Sequence, residues 1–286
     1  QRNLIHNGWW GGWHGHGGWK RSPIKKFHPS EVFLTCATTP RDVRAQTSTA
    51  LIDVQDAVRE HFQWTHAADV KSAAMLRDAC NNHPQADRLG WSSQQRRRTL
   101  NRLQTTLLEA TQIVLVGAAI DAASLERPWT DGTVFVAADG AVGACFGRVE
   151  VACVVSDLDG EPHLSQAVGK GIPVVVHAHG DNPTAWAQCL EKWSKLETAS
   201  IVLTHQSKEN HEDIHNVGGF TDGDRAACFL SWVGVPPQKV RYLGFATDRV
   251  GPWSGTTDPT RKLEKLVWMD TVLDLLDVDW RERKVD

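Results

Sequence analysis

From Thr111 onward the chain repeats one pattern that few folds can use. Short β-branched runs, QIVLVG, TVFVAA, VACVVS, IPVVV, SIVL and KVRYLG, alternate with stretches long enough for a helix. Each run is apolar on consecutive residues rather than on every second one, so each predicts a strand buried on both faces. Strands of that kind, joined by helical crossovers, build a mostly parallel sheet flanked by helices. The segments between them supply the helices: TAWAQCLEKWSKLE (184–197), read as opened by a threonine cap, GDRAACFLSWVG (223–234), and a last long helix from about Asp258 to Leu276.

Ahead of this region, from Pro40 to about Glu109, the texture is helical. ALIDVQDAVREHF (50–62) sets Leu51, Val54, Val58 and Phe62 on one stripe, and DVKSAAMLRDAC continues with Val70, Ala73, Ala74 and Leu76 until NNHP breaks it. RRRTLNRLQTTLLEA predicts a third helix with Leu100, Leu103, Leu107 and Leu108 facing a core, and Arg96-Arg97-Arg98 as a solvated face. The fold class is therefore α/β: a Rossmann-like, mostly parallel sheet flanked by helices, preceded by a small helical N-terminal part. The boundaries read as a leader over 1–30, a helical region over 31–110 and the α/β domain over 111–286. The leader contains GWWGGWHGHGGWK, which has no hydrophobic periodicity. His14 and His16 could ligate a metal and Trp9, Trp10 and Trp13 could stack on a ligand, but a flexible or artefactual leader is the plainer reading.

Charge and composition remove several function classes. With 31 basic and 34 acidic residues the net charge is −3, which leaves no basic excess for a nucleic-acid backbone. No apolar run approaches the ~20 residues that span a bilayer, and no signal-peptide core is visible, so the expected setting is cytoplasmic with no membrane partner. The cysteines at 36, 80, 145, 153, 189 and 228 form no CxxC pair and read as buried free thiols.

Ligands of open parallel sheets bind beyond the carboxyl ends of the strands. Here those ends are rich in acids and histidines. VFVAA runs into Asp139-Gly140, VACVVS into Asp157-Leu158-Asp159-Gly160, IPVVV into His177-Ala178-His179-Gly180-Asp181-Asn182, and SIVL into Thr204-His205-Gln206. A further loop holds Gly218-Gly219-Phe220-Thr221-Asp222-Gly223-Asp224-Arg225. Crowded carboxylates call for a cation, and oxygen ligands suit Mg²⁺ completed by substrate phosphates. Glycines allow close backbone approach, and Arg225, Lys262 and Lys265 are cationic partners.

Each fragment also has a plainer reading. Asp-Gly after a strand is commonly a turn. The Asp-Leu-Asp-Gly fragment lacks the rest of a calcium loop. One of His177 and His179 could be a satisfied core histidine, and one of Asp222 and Asp224 a helix cap. Zinc would want further His or Cys at suitable spacing.

VVVHAHGDN (174–182), VGGFTDGDRA (217–226) and VVSDLDG (154–160), with AADGA (137–141) and KLEKL (262–266), resemble the signature segments of the archaeal 6-hydroxymethyl-7,8-dihydropterin pyrophosphokinases. The resemblance runs from about Thr111 to Leu276. It implies a catalytic domain similar to that of thiamine pyrophosphokinases and transfer of diphosphate from ATP to a pterin alcohol. Such a reaction feeds tetrahydromethanopterin or folate-type cofactors, with Mg²⁺ as cofactor and room for a homo-oligomer.

Carried onto this chain, the magnesium set is Asp157, Asp159, Asp181 and Asp222, with Asp139 beside it. Asp139, Gly219, Thr221 and Asp224 join the ATP site, Arg225 and Lys262 neutralise phosphate charge, and Asn182 and Asn216 read the pterin edge. Asp157, Asp159, His177, His179 and Asp181 are the catalytic candidates, one of the last three accepting the hydroxyl proton.

One turn departs from the family. Gly117-Ala118-Ala119-Ile120 stands where a Gly-x-Gly-Pro-Ser-Leu turn is usual, with Ser124-Leu125 displaced. The fold is expected to survive this change, while close backbone contact with a phosphate is what it puts at stake. The rival readings are a glycosyltransferase-like domain related to flagellin-modification proteins and an inactive nucleotide-binding relative.

Overall fold

Alternation along each strand divides the core in two. Val114, Val116, Val154, Val174, Val176, Ile201 and Leu203 pack into one hydrophobic cluster, while Ile113, Leu115, Val136, Val155, Val175 and Val202 pack into the other. Successive side chains of a strand point to opposite faces, so consecutive apolar residues require cover on both sides. In this computed structural model, which describes residues 44, 46–255 and 257–285, that cover is complete.

The strands are β1 (Gln112–Val116), β2 (Thr133–Ala138), β3 (Val151–Ser156), β4 (Val174–Ala178), β5 (Ile201–His205) and β6 (Val240–Leu243). They form one sheet in the order β5-β4-β3-β2-β1-β6, and every pairing is parallel. The order reverses at β1, which lies between β2 and β6. That is the topological switch point, and the crevice beyond the strand ends there is where such sheets hold ligands.

The helices are α1 (Thr49–Phe62), α2 (His66–Asn81), α3 (Ala86–Leu89), α4 (Ser93–Glu109), α5 (Val142–Cys145), α6 (His163–Gly169), α7 (Pro183–Trp193), α8 (Asp222–Trp232) and α9 (Pro259–Leu276). Ser48, Thr65 and Ser92 cap α1, α2 and α4 by accepting from Leu51 N, Ala68 N and Gln95 N. Ala73 and Leu76 of α2 join one face with Trp186 and Trp193 of α7. Leu100, Leu103 and Leu107 of α4 join the other with Phe229 of α8 and Leu273 of α9. Described residues of the N-terminal helices thus share the cores of the sheet.

Two local expectations need correction. Arg96 is buried, not solvated, and donates to Asn81 Oδ1 (2.8 Å) and to the Trp91 carbonyl. It lies one turn before Leu100 on the inward stripe, where the run of three arginines hides the periodicity. The cap of α7 is Asn182, with Pro183 in the first turn, so Thr184 already lies inside the helix. The leader over 1–30 lies outside the described residues. No described helix is long and apolar enough to cross a membrane. Cys80, Cys145, Cys153, Cys189 and Cys228 are buried and free.

Candidate functional site

Beyond β2 and β3, carboxylate oxygens of Asp139, Asp157, Asp159 and Asp222 lie within 4.8 Å of one another. Local chain geometry brings them there. Ser156 closes β3 and donates from its hydroxyl to Asp139 Oδ1 (2.6 Å) while accepting from Leu158 N (2.7 Å). Gly160 N donates to the same Asp139 oxygen (3.1 Å), and a Cβ on Gly160 would lie 2.4 Å from Asp139 Oδ2. Only glycine fits against that carboxylate.

Leu158 sits at φ 77° with its side chain in the core, and its neighbours Asp157 and Asp159 both reach the cluster. A left-handed leucine costs ~1–3 kcal/mol and persists where the surroundings over-determine it. Asp222, the first residue of α8, accepts from Asp157 N (3.0 Å) and Arg225 Nη1 (3.0 Å), which ties that helix start to β3.

Four carboxylates cannot all stay charged here without a cation. Burial, then repulsion from Asp222, Asp159 and Asp157, pushes Asp139 well above the usual range. Burial and the Asp157 charge push Asp222 up to about 8, and the same two causes raise Asp159. Asp157 goes the other way: its burial is outweighed by the bond to His179 and by the charges of Arg225 and Lys265, which hold it low. Asp157 Oδ1 is nonetheless buried with no hydrogen-bond partner. An all-oxygen donor set with an orphaned oxygen fits a hard divalent cation.

Beside the cluster a crevice opens at the switch point. It is lined by Gly117 to Ala119 after β1, Gly244 to Ala246 after β6, Asp139, Thr221, Asp222, Trp253, Lys262 and Met269. Three backbone hydrogen bonds close the first turn. Gly117 N donates to Leu243 O, Ala119 N to Gly244 O (3.0 Å), and Ile120 N to Gly117 O. Gly117 is required because a Cβ there would lie 2.6 Å from Gly244 O. Ala119 is not among the residues of positive φ, so alanine is accommodated.

The other residues singled out in the sequence separate into two groups. Asp139, Asp157, Asp159, Asp222, Thr221 and Lys262 are at the cluster or the crevice. His179 adjoins them, its Nε2 3.5 Å from Asp157 Oδ2.

The second group is committed to the scaffold. His177 is fully buried, its ring nitrogens paired with Thr204 Oγ1 (3.1 Å) and Gln206 Oε1 (3.3 Å), and burial holds its pKa far down. Asn182 donates to the carbonyls of Asp157 (2.9 Å) and His177 (2.7 Å). That inward amide leaves its neighbour Asp181 exposed and outside the four-carboxylate group. Asn216 bonds Gln55, Ser207 O and Gly218 N, on the far side of β5.

Asp224 caps α8, accepting from Phe220 N, Thr221 N and the Thr221 hydroxyl. Gly219, at φ 85°, lets its loop close on Arg225, where a Cβ would lie 2.5 Å from the Arg225 Cα. Arg225 itself is buried and donates to Asp222 and to Phe220 O (2.6 Å), so it braces a carboxylate rather than facing the crevice.

Lys265, singled out in the sequence as a cationic partner, also lies at the site. Lys265 is pushed down by burial although the Asp157 charge works against that shift. Its Nζ lies 5.7 Å from the Trp64 ring and 5.9 Å from that of Phe220. Arg59, Asp69 and Gln206 form a buried network under the turn after β4. A polar pair ten residues apart at two helix ends shows no pattern until the fold brings it together. The lone aromatic Trp64 before the Thr65 cap was the available hint.

No protein-family model matches the chain. Curated relatives do. The 6-hydroxymethyl-7,8-dihydropterin pyrophosphokinase of Methanothermobacter thermautotrophicus is 34% identical over 173 residues, 57% of this chain and 67% of that protein. The protein of the same name from Pyrococcus furiosus is 33% identical over 155 residues, 53% of this chain and 62% of its own length. That of Methanocaldococcus jannaschii is 37% identical over 99 residues, 34% of this chain and 40% of its own. The match to the Pyrococcus protein thus spans less than two thirds of that relative. The match at 34% identity over 67% of the Methanothermobacter protein shows the family: the chain belongs to the 6-hydroxymethyl-7,8-dihydropterin pyrophosphokinases.

Proposed function

We propose that this chain transfers diphosphate from ATP to the hydroxymethyl group of 6-hydroxymethyl-7,8-dihydropterin, giving AMP and the pterin diphosphate. The observation that carries the reading is the four-carboxylate cluster, with its orphaned Asp157 oxygen, beside a crevice at the sheet's switch point. The names of the relatives are consistent with it. Asp139, Asp157, Asp159 and Asp222 would hold Mg²⁺, which when bound would neutralise and orient the phosphate oxygens.

In the reaction the pterin hydroxyl oxygen bonds to the β-phosphorus of ATP. The bond from that phosphorus to the bridging α–β oxygen breaks, and AMP departs with the bridging oxygen. Catalysis of this kind is mostly positioning and charge neutralisation. Thr221, Lys262 and the turns at Gly117 and Gly244 line the nucleotide crevice. Lys262 and Lys265 supply positive charge in place of Arg225, whose guanidinium is committed to Asp222 and Phe220.

His179 Nδ1 accepts from Asp181 N (3.2 Å), which leaves Nε2 as the ring's donor, facing Asp157. It therefore orients Asp157 as a donor, and the hydroxyl proton leaves to a neighbouring carboxylate. The cytoplasmic setting and a place in tetrahydromethanopterin or folate-type cofactor synthesis belong to the same reading.

The test is AMP release from ATP and Mg²⁺ with and without the dihydropterin alcohol, with chelator as control. Pterin-dependent, chelator-sensitive AMP is expected. Folded protein that forms none would overturn the proposal.

A further inference from the structure

A second cleft, of about 220 Å³, shares no lining residue with the nucleotide crevice, and its lining includes Trp64, Asp69, His179, Gly180 and Asp181. The rings of Trp64 and His179 face each other across 6.5 Å at an interplanar angle of 24°. Two stacking contacts of ~3.5 Å each, one on either side of a single flat ring, need nearly that spacing. Phe62 stacks on Trp64 at 5.0 Å and steadies it.

The chain is bent deliberately to put Trp64 there. Gln63, which closes α1, sits at φ 57°, a left-handed conformation uncommon for a residue other than glycine. Trp64 N then donates back to Arg59 O (2.9 Å), so the ring is held at the start of the short link between α1 and α2.

The polar lining of the cleft is rich in acceptors. Asp181 contributes an exposed carboxylate, and Asp69, buried and paired with Arg59 and Gln206, accepts from Gly180 N (2.8 Å) and so holds the turn that carries it. A pterin matches this set: two flat faces for the aromatic rings and a cyclic guanidine edge whose N–H groups need acceptors. At the inner end His179 Nε2 lies 3.5 Å from Asp157 of the carboxylate cluster. A ring stacked in this cleft would extend its side chain toward the site of phosphoryl transfer.

We infer that the Trp64–His179 cleft is the acceptor subsite, stacking the pterin ring on Trp64 with its guanidine edge toward Asp181. This rests on the pyrophosphokinase reading above. The experiment measures pterin and ATP dependence of AMP release for wild type, Trp64→Ala, Trp64→Phe and Asp181→Asn, together with calorimetric binding of 6-hydroxymethylpterin without nucleotide.

Stacking losses on truncation to alanine predict a ~10-fold rise in the pterin KM of Trp64→Ala. The ATP KM should stay unchanged, Trp64→Phe should recover most of the affinity, and Asp181→Asn should raise the pterin KM alone. An active Trp64→Ala enzyme with a wild-type pterin KM would place the acceptor elsewhere and leave the reaction standing. An equal rise in both KM values with a lowered melting temperature would mean a structural role for Trp64, and would also overturn the inference. Wild-type protein that neither binds the pterin nor releases pterin-dependent AMP would remove the reaction itself, and this subsite with it.

Discussion

Neighbouring strand ends treat their buried polar groups in opposite ways. Beyond β4 and β5, His177 pairs with Thr204 and Gln206, Gln206 donates to Asp69 (2.9 Å), and Arg59 joins Asp69 (2.9 Å) to the Gln206 carbonyl (2.8 Å). Donors there meet acceptors. Beyond β2 and β3, four carboxylates crowd together, and Asp157 Oδ1 is buried with no partner. A satisfied network contributes to the fold, whereas an unsatisfied cluster costs stability and is tolerated where a ligand completes it. The difference separates scaffold from site without reference to any relative.

Replacing carboxylate by amide at the cluster is the strongest way to break that contrast. Asp157→Asn and Asp159→Asn should each lower kcat by at least ~10³-fold, equivalent to ~4 kcal/mol of transition-state stabilisation. The metal-free melting temperature should hold or rise for Asp159→Asn, because a repelling charge is gone, and should fall for Asp157→Asn, which gives up the attraction of Arg225 and Lys265. Steady-state AMP release and thermal unfolding in chelator check both halves. Turnover retained in both variants would sink the metal assignment.

On the other side of the comparison, Asp69→Ala should act on folding. It takes from the buried Arg59 guanidinium its buried carboxylate and leaves the more exposed Asp56 (2.5 Å) as ion-pair partner, a loss approaching the ~3–5 kcal/mol of a broken buried pair. Urea unfolding reads it directly. A loss under ~1 kcal/mol would mean that the network is not what fixes the turn after β4.

A smaller effect should follow acidity. Burial, with the neighbouring His211 and His215 charges, lowers His205 from its ordinary 6.5 to about 3. The unfolded chain therefore gains a proton as pH falls through ~6.5, while the folded chain stays neutral until about 3. Stability from this group is fully present above 6.5 and declines steadily as pH falls toward 3. Melting temperatures between pH 7 and pH 5 should drop for the wild type and less steeply for His205→Gln. Equal slopes would show that His205 is not responsible.

Much of this was legible in the chain. Consecutive apolar residues in QIVLVG, VACVVS and IPVVV demand two covered faces, and the strands β1, β3 and β4 have them. Acidic turns after parallel strands must converge on one edge, and Asp139, Asp157, Asp159 and Asp222 do so. What the pattern could not show is how side chains are committed once the fold closes. Arg225 and Asn182 look like ligand readers in a linear motif, yet each is held by carbonyls supplied by distant or neighbouring turns. Asp181 and Asp157 are alike in composition; only the inward amide of Asn182 separates them in space. Trp64 lies outside every motif because its partner His179 is more than a hundred residues away.

The smallest effect is expected at the turn that departs from the family. Ala119 already donates its N–H to Gly244 O and sits outside the positive-φ set, so restoring glycine there gives the folded chain nothing it lacks. Ala119→Gly should cost ~0.4–1 kcal/mol through the greater freedom of the unfolded chain. The ATP KM should stay within about twofold, a change of under ~0.5 kcal/mol. A tenfold fall in that KM would instead show that the alanine methyl keeps the phosphates off the backbone. The crevice at the switch point would then be only partly suited to ATP, and the comparison between scaffold and site would have to include this turn among the site's compromises.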